Sequence, residues 1–356
     1  VVDLQVLLLS IMAKSGVFTH VRDLSVSLRK AGVKPILGLI NSEKAKKAFK
    51  IQEKDFVQME KMLQGMNIPY FLYENENDLK QQIIGKQLEI VHAHSPMVMS
   101  TAGRIANELN IPYVITLHGV LAWNKLYPRN MKKATKIIAI GPEVAKSAGE
   151  SNQHKTTIIY NGVDLERFYP AGDFECRENP LRILWLGRTR GAAAQGAECL
   201  TRAIRLLQQQ GLQLETKALG FAGDAKIEVM KTYGWVFDPV PYLQWGHLVF
   251  ARGRALREAM ACGSAGFLLA EGYGGRVRED WFGNGRMPQL SGTNKHGAQK
   301  LNVFQIADDI LYFYQHREEL AEARKEARRI AECYFDVRFM AERTCQVYAE
   351  ALKSFK

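Results

Sequence analysis

Leu4-Gln5-Val6-Leu7-Leu8-Leu9-Ser10-Ile11, followed at once by Met12-Ala13-Lys14-Ser15-Gly16-Val17, decides the fold. The first eight residues are almost continuously apolar, the pattern of a strand covered on both faces. A glycine turn follows. Val17, Val21, Leu24 and Leu28 then recur at helical spacing as far as Gly32, a residue suited to end a helix. A buried strand running directly into a helix is half of a βαβ unit, and the unit repeats. Strand-like segments stand at Pro35–Ile40, Tyr70–Tyr73, Ile90–His94, Tyr113–His118, Lys136–Ile140 and Thr156–Tyr160, with helical stretches such as Val98–Leu109 and Pro142–Ala148 among them. This alternation predicts an α/β chain with a doubly wound, mostly parallel sheet.

A composition change near Glu166–Pro180, with two prolines, a glycine and mixed charge, reads as a linker. A second βα series then restarts. Ile183–Gly187, Leu214–Ala218, His247–Phe250 and Gly266–Leu269 read as strands, and Ala197–Gln210 and Arg254–Cys262 as helices. The glycine-rich, polar stretch Glu271–Lys300 reads as a long surface loop. Three helices close the chain, at Val303–Tyr314, Arg317–Cys333 and Val337–Ser354. The expected domains are therefore 1–170 and 171–336. Two α/β halves joined by a linker suggest a cleft, a common place for a ligand.

At 356 residues the chain is long enough for two cores. No apolar run approaches the roughly 20 residues of a membrane span, and the short apolar start reads as a strand rather than a signal peptide. Five cysteines without a CxxC spacing argue against a disulfide framework and favour a reducing, cytoplasmic setting. The net charge of +11 calls for an anionic partner. Part of it is clustered, at Lys44, Lys46, Lys47, Lys50 and Lys54, and at Lys125, Arg129, Lys132, Lys133 and Lys136, with Trp123 and Tyr127 beside the second group. Solvated helix faces explain such clusters as well as an anionic membrane surface does. Nucleic acid is disfavoured, because no helix-turn-helix, RRM or finger signature accompanies the charge.

Five places carry chemistry-bearing residues. Gly16 lies where a strand meets a helix, so backbone N–H groups there suit a phosphate; an ordinary tight turn is the alternative. His92 and His94 share one face of a strand end, a hydrogen-bonded pair more readily than a metal site, since no third ligand stands out. His118 ends another strand, where parallel sheets present their active residues; a satisfied histidine near the core is the alternative. Arg188 follows Gly187 at a strand end and suits a diphosphate, or a surface carboxylate. In Ala251-Arg252-Gly253-Arg254-Ala255-Leu256-Arg257-Glu258, the turn at Gly253 and the guanidinium of Arg254 suit an anion, and Glu258 suits sugar hydroxyls.

In this order the pieces resemble glycosyltransferase family 4, a group of retaining GT-B enzymes. The most specific elements are Asn161-Gly162-Val163-Asp164 followed by Arg167-Phe168, and Glu258-Ala259-Met260-Ala261-Cys262-Gly263. The resemblance implies two Rossmann-like domains facing a cleft, with the last helix, 337–356, crossing back to the first. It implies a donor-binding second domain and an acceptor-binding first domain. Gly16 and Arg188 match the family's diphosphate contacts, Glu258 its ribose contact, and His118 a catalytic histidine near the transferred sugar. No bound metal or other cofactor is implied, so cations and helix N-termini must balance the leaving diphosphate. There are departures. The family's second Glu, eight positions before Glu258, falls on Phe250, and its phosphate-binding Lys falls near Gln195. Arg254 or Arg190 is the expected substitute cation.

The implied function is transfer of a hexosyl group, with retention, from a UDP- or GDP-sugar to a glycan or lipid-linked acceptor. The setting would be cell-envelope polysaccharide or glycolipid synthesis at the inner membrane face. The lost Glu and Lys leave a second expectation, a catalytically weakened or non-catalytic nucleotide-sugar-binding protein.

Overall fold

The computed structural model describes residues 3–176, 179–221, 223, 225–285, 287–292 and 298–355. The chain divides into two compact units. One comprises the residues up to Gly162 together with those from Val337 onward, and the other runs from Val163 to Asp336. The stretch expected as a linker, 166–180, thus belongs to the second unit.

The first unit holds seven strands: β1 (Gln5–Ile11), β2 (Lys34–Ile40), β3 (Tyr70–Tyr73), β4 (Ile90–Ala93), β5 (Tyr113–Leu117), β6 (Lys136–Ala139) and β7 (Thr156–Ile158). Their order is β3-β2-β1-β4-β5-β6-β7, and every neighbouring pair is parallel. Six of the seven residues of β1 are buried, as its unbroken apolar run requires at the centre of a sheet clad on both sides. One face packs Leu7, Leu9, Val91, Ala93, Ile115 and Leu117 against the helix Pro96–Glu108 and its neighbours. The alternate residues, His92 and Thr116 among them, point to the opposite face. There the helices Gly16–Lys30 and Val337–Phe355 pack on each other, and Tyr348 of the last helix reaches His92.

The second unit repeats the plan with β8 (Leu181–Leu186), β9 (Leu214–Leu219), β10 (Lys231–Tyr233), β11 (Leu248–Ala251), β12 (Ala265–Leu269), β13 (Gly272–Arg276) and β14 (Gln299–Lys300). The order is β10-β9-β8-β11-β12-β13-β14. It is parallel through β12 and antiparallel beyond. Alternation splits its core in two: Ile183, Trp185, Phe250 and Phe267 face one cluster, and Leu184, Val249, Ala251 and Leu268 the other.

Two expectations need correction. Residues 271–300 are not simply a surface loop, because β13, a short 3-10 turn and β14 lie there and Tyr273, Val277, Phe282 and Leu290 are buried. The glycines that signalled a loop let β13 cross beside β12; a Cβ on Gly274 would stand 2.9 Å from Leu268. Residues 286 and 293–297 of that stretch lie outside the described residues. The sequence reading also passed over β10 and the helix Val240–Trp245. Each is too short to show a period. Among the described residues no helix is long and apolar enough to cross a membrane.

Candidate functional site

In a doubly wound sheet the ligand crevice opens at the carboxyl ends of the strands, where the strand order reverses. In the first unit that point lies between β1 and β4; in the second it lies between β8 and β11. The candidate residues of both units stand at these two places.

In the first unit, Ser15 caps the helix Gly16–Lys30, its Oγ accepting from the Phe18 N–H at 3.3 Å. Gly16 is exposed, and a Cβ built on it meets nothing within 4 Å. The fold therefore does not require glycine there. Lys14, just before, is tied to the buried Asp55 at 2.6 Å.

Four histidines gather at the same place. His92 is fully buried and bonded on both ring nitrogens, Nδ1 to the Tyr348 hydroxyl and Nε2 to the Thr116 hydroxyl, each at 2.7 Å. It ties the last helix to the sheet and has no nitrogen left for a ligand. His94 lies beside it with ring centroids 4.0 Å apart, and its backbone N–H donates to the Leu9 carbonyl of β1. His118, half-buried just past β5, brings Nε2 to 3.4 Å from His94 Nδ1. The fourth ring is His20, one turn into the first helix, whose centroid is 4.7 Å from His118 and 5.5 Å from His94. Burial, reinforced by repulsion among the rings, holds His92, His94 and His118 well below the usual histidine range. All three are neutral at pH 7.

The Asn161–Asp164 motif has local explanations. Asn161 Oδ1 accepts from His20 Nδ1 at 2.9 Å. Gly162 passes so close to the start of the last helix that a Cβ would lie 2.4 Å from Val337 Cα. Asp164 Oδ1 accepts from the Glu166 and Arg167 N–H groups and fixes the turn that follows.

In the second unit, Arg188 follows β8. The Gly187 carbonyl accepts from the Trp185 indole at 3.1 Å, and Gly220 (φ +87°) would meet that carbonyl at 2.6 Å if it carried a Cβ. These contacts fix the turn. The Arg188 side chain is exposed and, among the described residues, makes no hydrogen bond or ion pair. After β11, Gly253 adopts φ +56° and opens the helix Gly253–Ala261, whose N-terminus no side chain caps. The Gly253 N–H itself already donates to the Leu290 carbonyl at 2.6 Å. Arg254 Nε donates to Glu258 Oε1 at 2.7 Å, and both side chains are largely buried. Glu258, read as a ribose contact, and Arg254, read as a phosphate contact, are therefore each other's partner in this state. Phe250 points into the core, stacked on Phe267 at 4.8 Å. Gln195 is exposed on the helix Ala192–Gln209.

The fold thus brings His118 together with His94 and His20, and Arg254 together with Glu258. Gly16 and His118 belong to the first unit; Arg188, Gly253, Arg254 and Glu258 belong to the second. Sequence reasoning missed His20, which sits inside an amphipathic helix far along the chain from the other histidines. It also missed Arg252, exposed at the cap of its helix. Trp123, expected on the surface beside a basic cluster, is buried and donates its indole N–H to the Gly119 carbonyl. The exposed apolar side chains of that segment are Val120, Leu121 and Leu126.

Residues 14–167 match Glycosyltransferase Family 4. The uncharacterized glycosyltransferase MJ1178 of Methanocaldococcus jannaschii is 28% identical over 104 residues, 27% of this chain; the chain spans only 30% of that relative's length. A glycosyltransferase from Rickettsia africae superposes with a TM-score of 0.69 at 16% identity, covering 99% of both chains. Anabaena HepE, solved in complex with UDP and glucose, gives 0.67 at 16% identity, covering 98% of this chain and 100% of its own. Identities this low speak for the fold alone, and that fold is GT-B. Residues 14–167, nearly all of them in the first unit, thus carry the family 4 match, and the two units have the GT-B fold.

Proposed function

We propose that the protein transfers a hexosyl group, with retention, from a nucleotide-sugar to a glycan or lipid-linked acceptor in cell-envelope synthesis. One observation carries the donor side. At the strand-order reversal of the second unit, Arg188, unpaired among the described residues, follows β8, next to the strand whose carboxyl end leads into a helix N-terminus that no side chain caps. Both features attract a diphosphate. HepE, a structural relative, binds UDP and glucose, which favours a uridine donor over a guanosine one.

In this reading Arg188 holds the diphosphate and the turn at Gly253 offers backbone N–H groups beyond the one bonded to Leu290. Glu258 exchanges Arg254 for the ribose hydroxyls when donor binds, and Arg254 then turns to phosphate. The bond from the sugar C1 to the phosphate oxygen breaks, and its electron pair leaves with the nucleoside diphosphate. A bond from C1 to the acceptor oxygen forms on the same face, and the acceptor proton passes to the leaving phosphate. Fixed cations stabilise the charge that develops there.

A thermal-shift screen against UDP, GDP, ADP and their sugars identifies the donor class, because a specific ligand stabilises by mass action. Arg188→Ala, checked for folding, is expected to weaken binding of the preferred nucleoside diphosphate by about tenfold or more, as loss of a charge-assisted contact worth ~1.5–3 kcal/mol implies. Unchanged affinity removes Arg188 from the site.

The first unit is read as the acceptor unit. Lys44, Lys47 and Lys50 are exposed, and Val120, Leu121 and Leu126 stand among the exposed Lys125 and Arg129, a mixture suited to the surface of an anionic bilayer. The proposed location is the inner membrane face. Flotation with acidic liposomes is expected to carry the protein at low salt. Equal recovery with neutral liposomes leaves these residues as solvated surface.

A further inference from the structure

The donor residues of the second unit stand at the carboxyl ends of its parallel strands, but the margin of the same sheet holds another opening. There a cavity of about 390 Å³ is lined by β13, by the segment Arg278–Trp281 that follows it and by the helix Val303–Gln315. β13 runs antiparallel to β12, with Tyr273 opposite Leu269 and Arg276 opposite Phe267, so the chain turns back from the carboxyl end of β12 as it passes the cavity. The lining includes neither Arg188 nor the Arg254–Glu258 pair. We propose that this cavity binds a neutral saccharide unit of a glycan, at a place apart from the sugar carried by the donor.

The lining has the two surfaces that a sugar ring asks for. A pyranose has a face of C–H groups and a rim of hydroxyls. Trp281 and Tyr312 supply aromatic surface for the first, and the Gln305 amide and the Asp309 carboxylate supply planar polar groups for the second. Gln305 and Asp309 stand four residues apart on one helix and so share a face of it. Trp281 packs against the apolar cluster that holds Val277 and Phe282, which fixes its ring before any ligand arrives. On the strand side Gly275 bears no side chain, and a Cβ built on it meets nothing within 4 Å, so that wall is bare backbone.

The hydrogen-bonding groups of this lining are largely unspent. Among the described residues the Gln305 amide and the Trp281 indole N–H make no hydrogen bond. Asp309 Oδ2 accepts from the Tyr273 hydroxyl at 2.5 Å, and Oδ1 has no partner among the same residues. Burial raises the Asp309 carboxyl above its ordinary value despite that bond. An N–H donor, an amide that both donates and accepts, and a carboxylate oxygen that accepts complement hydroxyls, each of which can do either.

Charge and size narrow the ligand. Arg276 is paired with Glu326, Arg278 with Asp280 at 3.1 Å, and the Tyr312 hydroxyl donates to Glu319. With its cations already paired and the carboxylates of Asp309 and Glu319 in the wall, the cavity has no excess positive charge for a phosphate or a nucleotide. Its volume lies at the small end of the ~300–1,000 Å³ range of ligand pockets, a size for one sugar ring or a disaccharide. Attachment at a second point of this kind raises the effective concentration of a glycan at the protein without taking part in transfer.

The test is saturation-transfer NMR on the full chain. The probes are the methyl glycosides of glucose, galactose, mannose and N-acetylglucosamine, the disaccharides maltose, cellobiose and lactose, and two anions, glucuronic acid and glucose 1-phosphate, each with and without excess UDP. At least one neutral saccharide is expected to bind saturably at roughly millimolar affinity, more tightly than either anion and equally well with UDP present. Gln305→Ala and Trp281→Phe should each weaken it by about two- to tenfold, as loss of one hydrogen bond implies. Trp281→Ala should abolish it. Glu258→Gln, at the donor turn, should leave it unchanged. Circular dichroism and thermal unfolding show which variants fold. Gln305→Ala removes no hydrogen bond of the fold among the described residues and keeps the test decisive if Trp281→Ala does not fold. The proposal is overturned if no neutral saccharide saturates, if an anion binds more tightly, or if binding survives Gln305→Ala and Trp281→Phe unchanged. Loss in Glu258→Gln or competition by UDP also overturns it, because the sugar then sits at the donor site. Nucleotide binding is read separately, so failure here leaves the donor reading standing, and the reverse holds.

Discussion

At the reversal of strand order the first unit presents imidazoles, and the second presents guanidinium groups and a carboxylate. The scaffolds are alike: a central strand, a glycine turn, a helix, and the neighbouring strand across the switch. The side chains on them are not. Burial leaves three histidines of the first unit neutral: His94 and His118, suited to a hydroxyl or a proton, and His92, already bonded on both ring nitrogens. The second unit keeps fixed charge, with Arg188 exposed and Arg254 paired with Glu258. A parallel sheet therefore sets where a site opens, and the residues at its strand ends set which ligand it can take.

The comparison is broken most forcibly at Phe250. If the second unit simply had an aromatic in place of the family's second Glu, Phe250→Glu would restore a donor contact. The side chain instead stacks on Phe267 within the core, at no exposure. A carboxylate there is buried without a partner, which costs upwards of ~3 kcal/mol. The expected outcome is a second unit that melts far lower or does not fold, with no gain in donor affinity. A folded Phe250→Glu chain that binds nucleotide-sugar more tightly would place this position at the donor after all.

Phe250 also marks where the sequence stopped being legible. The longer buried strands and amphipathic helices of both units followed from unbroken apolar runs and helical periodicity, because such elements write their burial into the chain. The sequence placed residue 250 in the strand His247–Phe250, but counting positions back from Glu258 could not show that its side chain turns into the core against Phe267. The Arg254–Glu258 pair has the i, i+4 spacing of helix neighbours, and only the fold shows the two bonded to each other. His20 was invisible for another reason. It joins His94 and His118 only because β1 lies next to β4 in the sheet, a neighbourhood set by topology and not by spacing. The roles of Gly162 and Asn161, against Val337 and His20, likewise depend on contacts far away in sequence.

Acid should separate the two units. An unfolded histidine titrates near 6.5. His92, His94 and His118 are held below that in the fold, so as pH falls through about 6.5 the unfolded chain takes up protons that the folded chain does not. Stability is full above that pH and is lost below it, at up to ~1.4 kcal/mol per pH unit for each such group. Among the described residues the comparable histidine of the second unit is His247, lowered to about 3 by burial and then by Arg324, Arg182 and Arg317. Hydrogen exchange between pH 7 and pH 5 is the measurement. Protection in β4 and β5 is expected to fall before that in β8 and β11. Simultaneous loss in both sheets would mean that the imidazole cluster does not govern the first unit's stability.

The smallest effect concerns Gly16, and it decides whether the first unit also meets the donor. Glycine at a strand-to-helix turn has two explanations. The backbone can demand it, through a positive φ or a close neighbour, or a ligand can demand it by approaching where a Cβ would stand. The first explanation fails here: Gly16 has no positive φ, and a Cβ on it meets nothing within 4 Å. Gly16→Ala should therefore leave thermal stability unchanged or raise it by up to ~1 kcal/mol, since alanine is the better helix former. Any loss of nucleotide-sugar affinity in that variant then reports the ligand alone, free of damage to the fold. If the diphosphate passes against this turn, affinity should fall while Arg188 and the rest of the second unit are untouched. If both stability and affinity stay the same, the donor is held by the second unit's charges without help from this turn. The histidine-lined end of the first unit would then serve the acceptor alone.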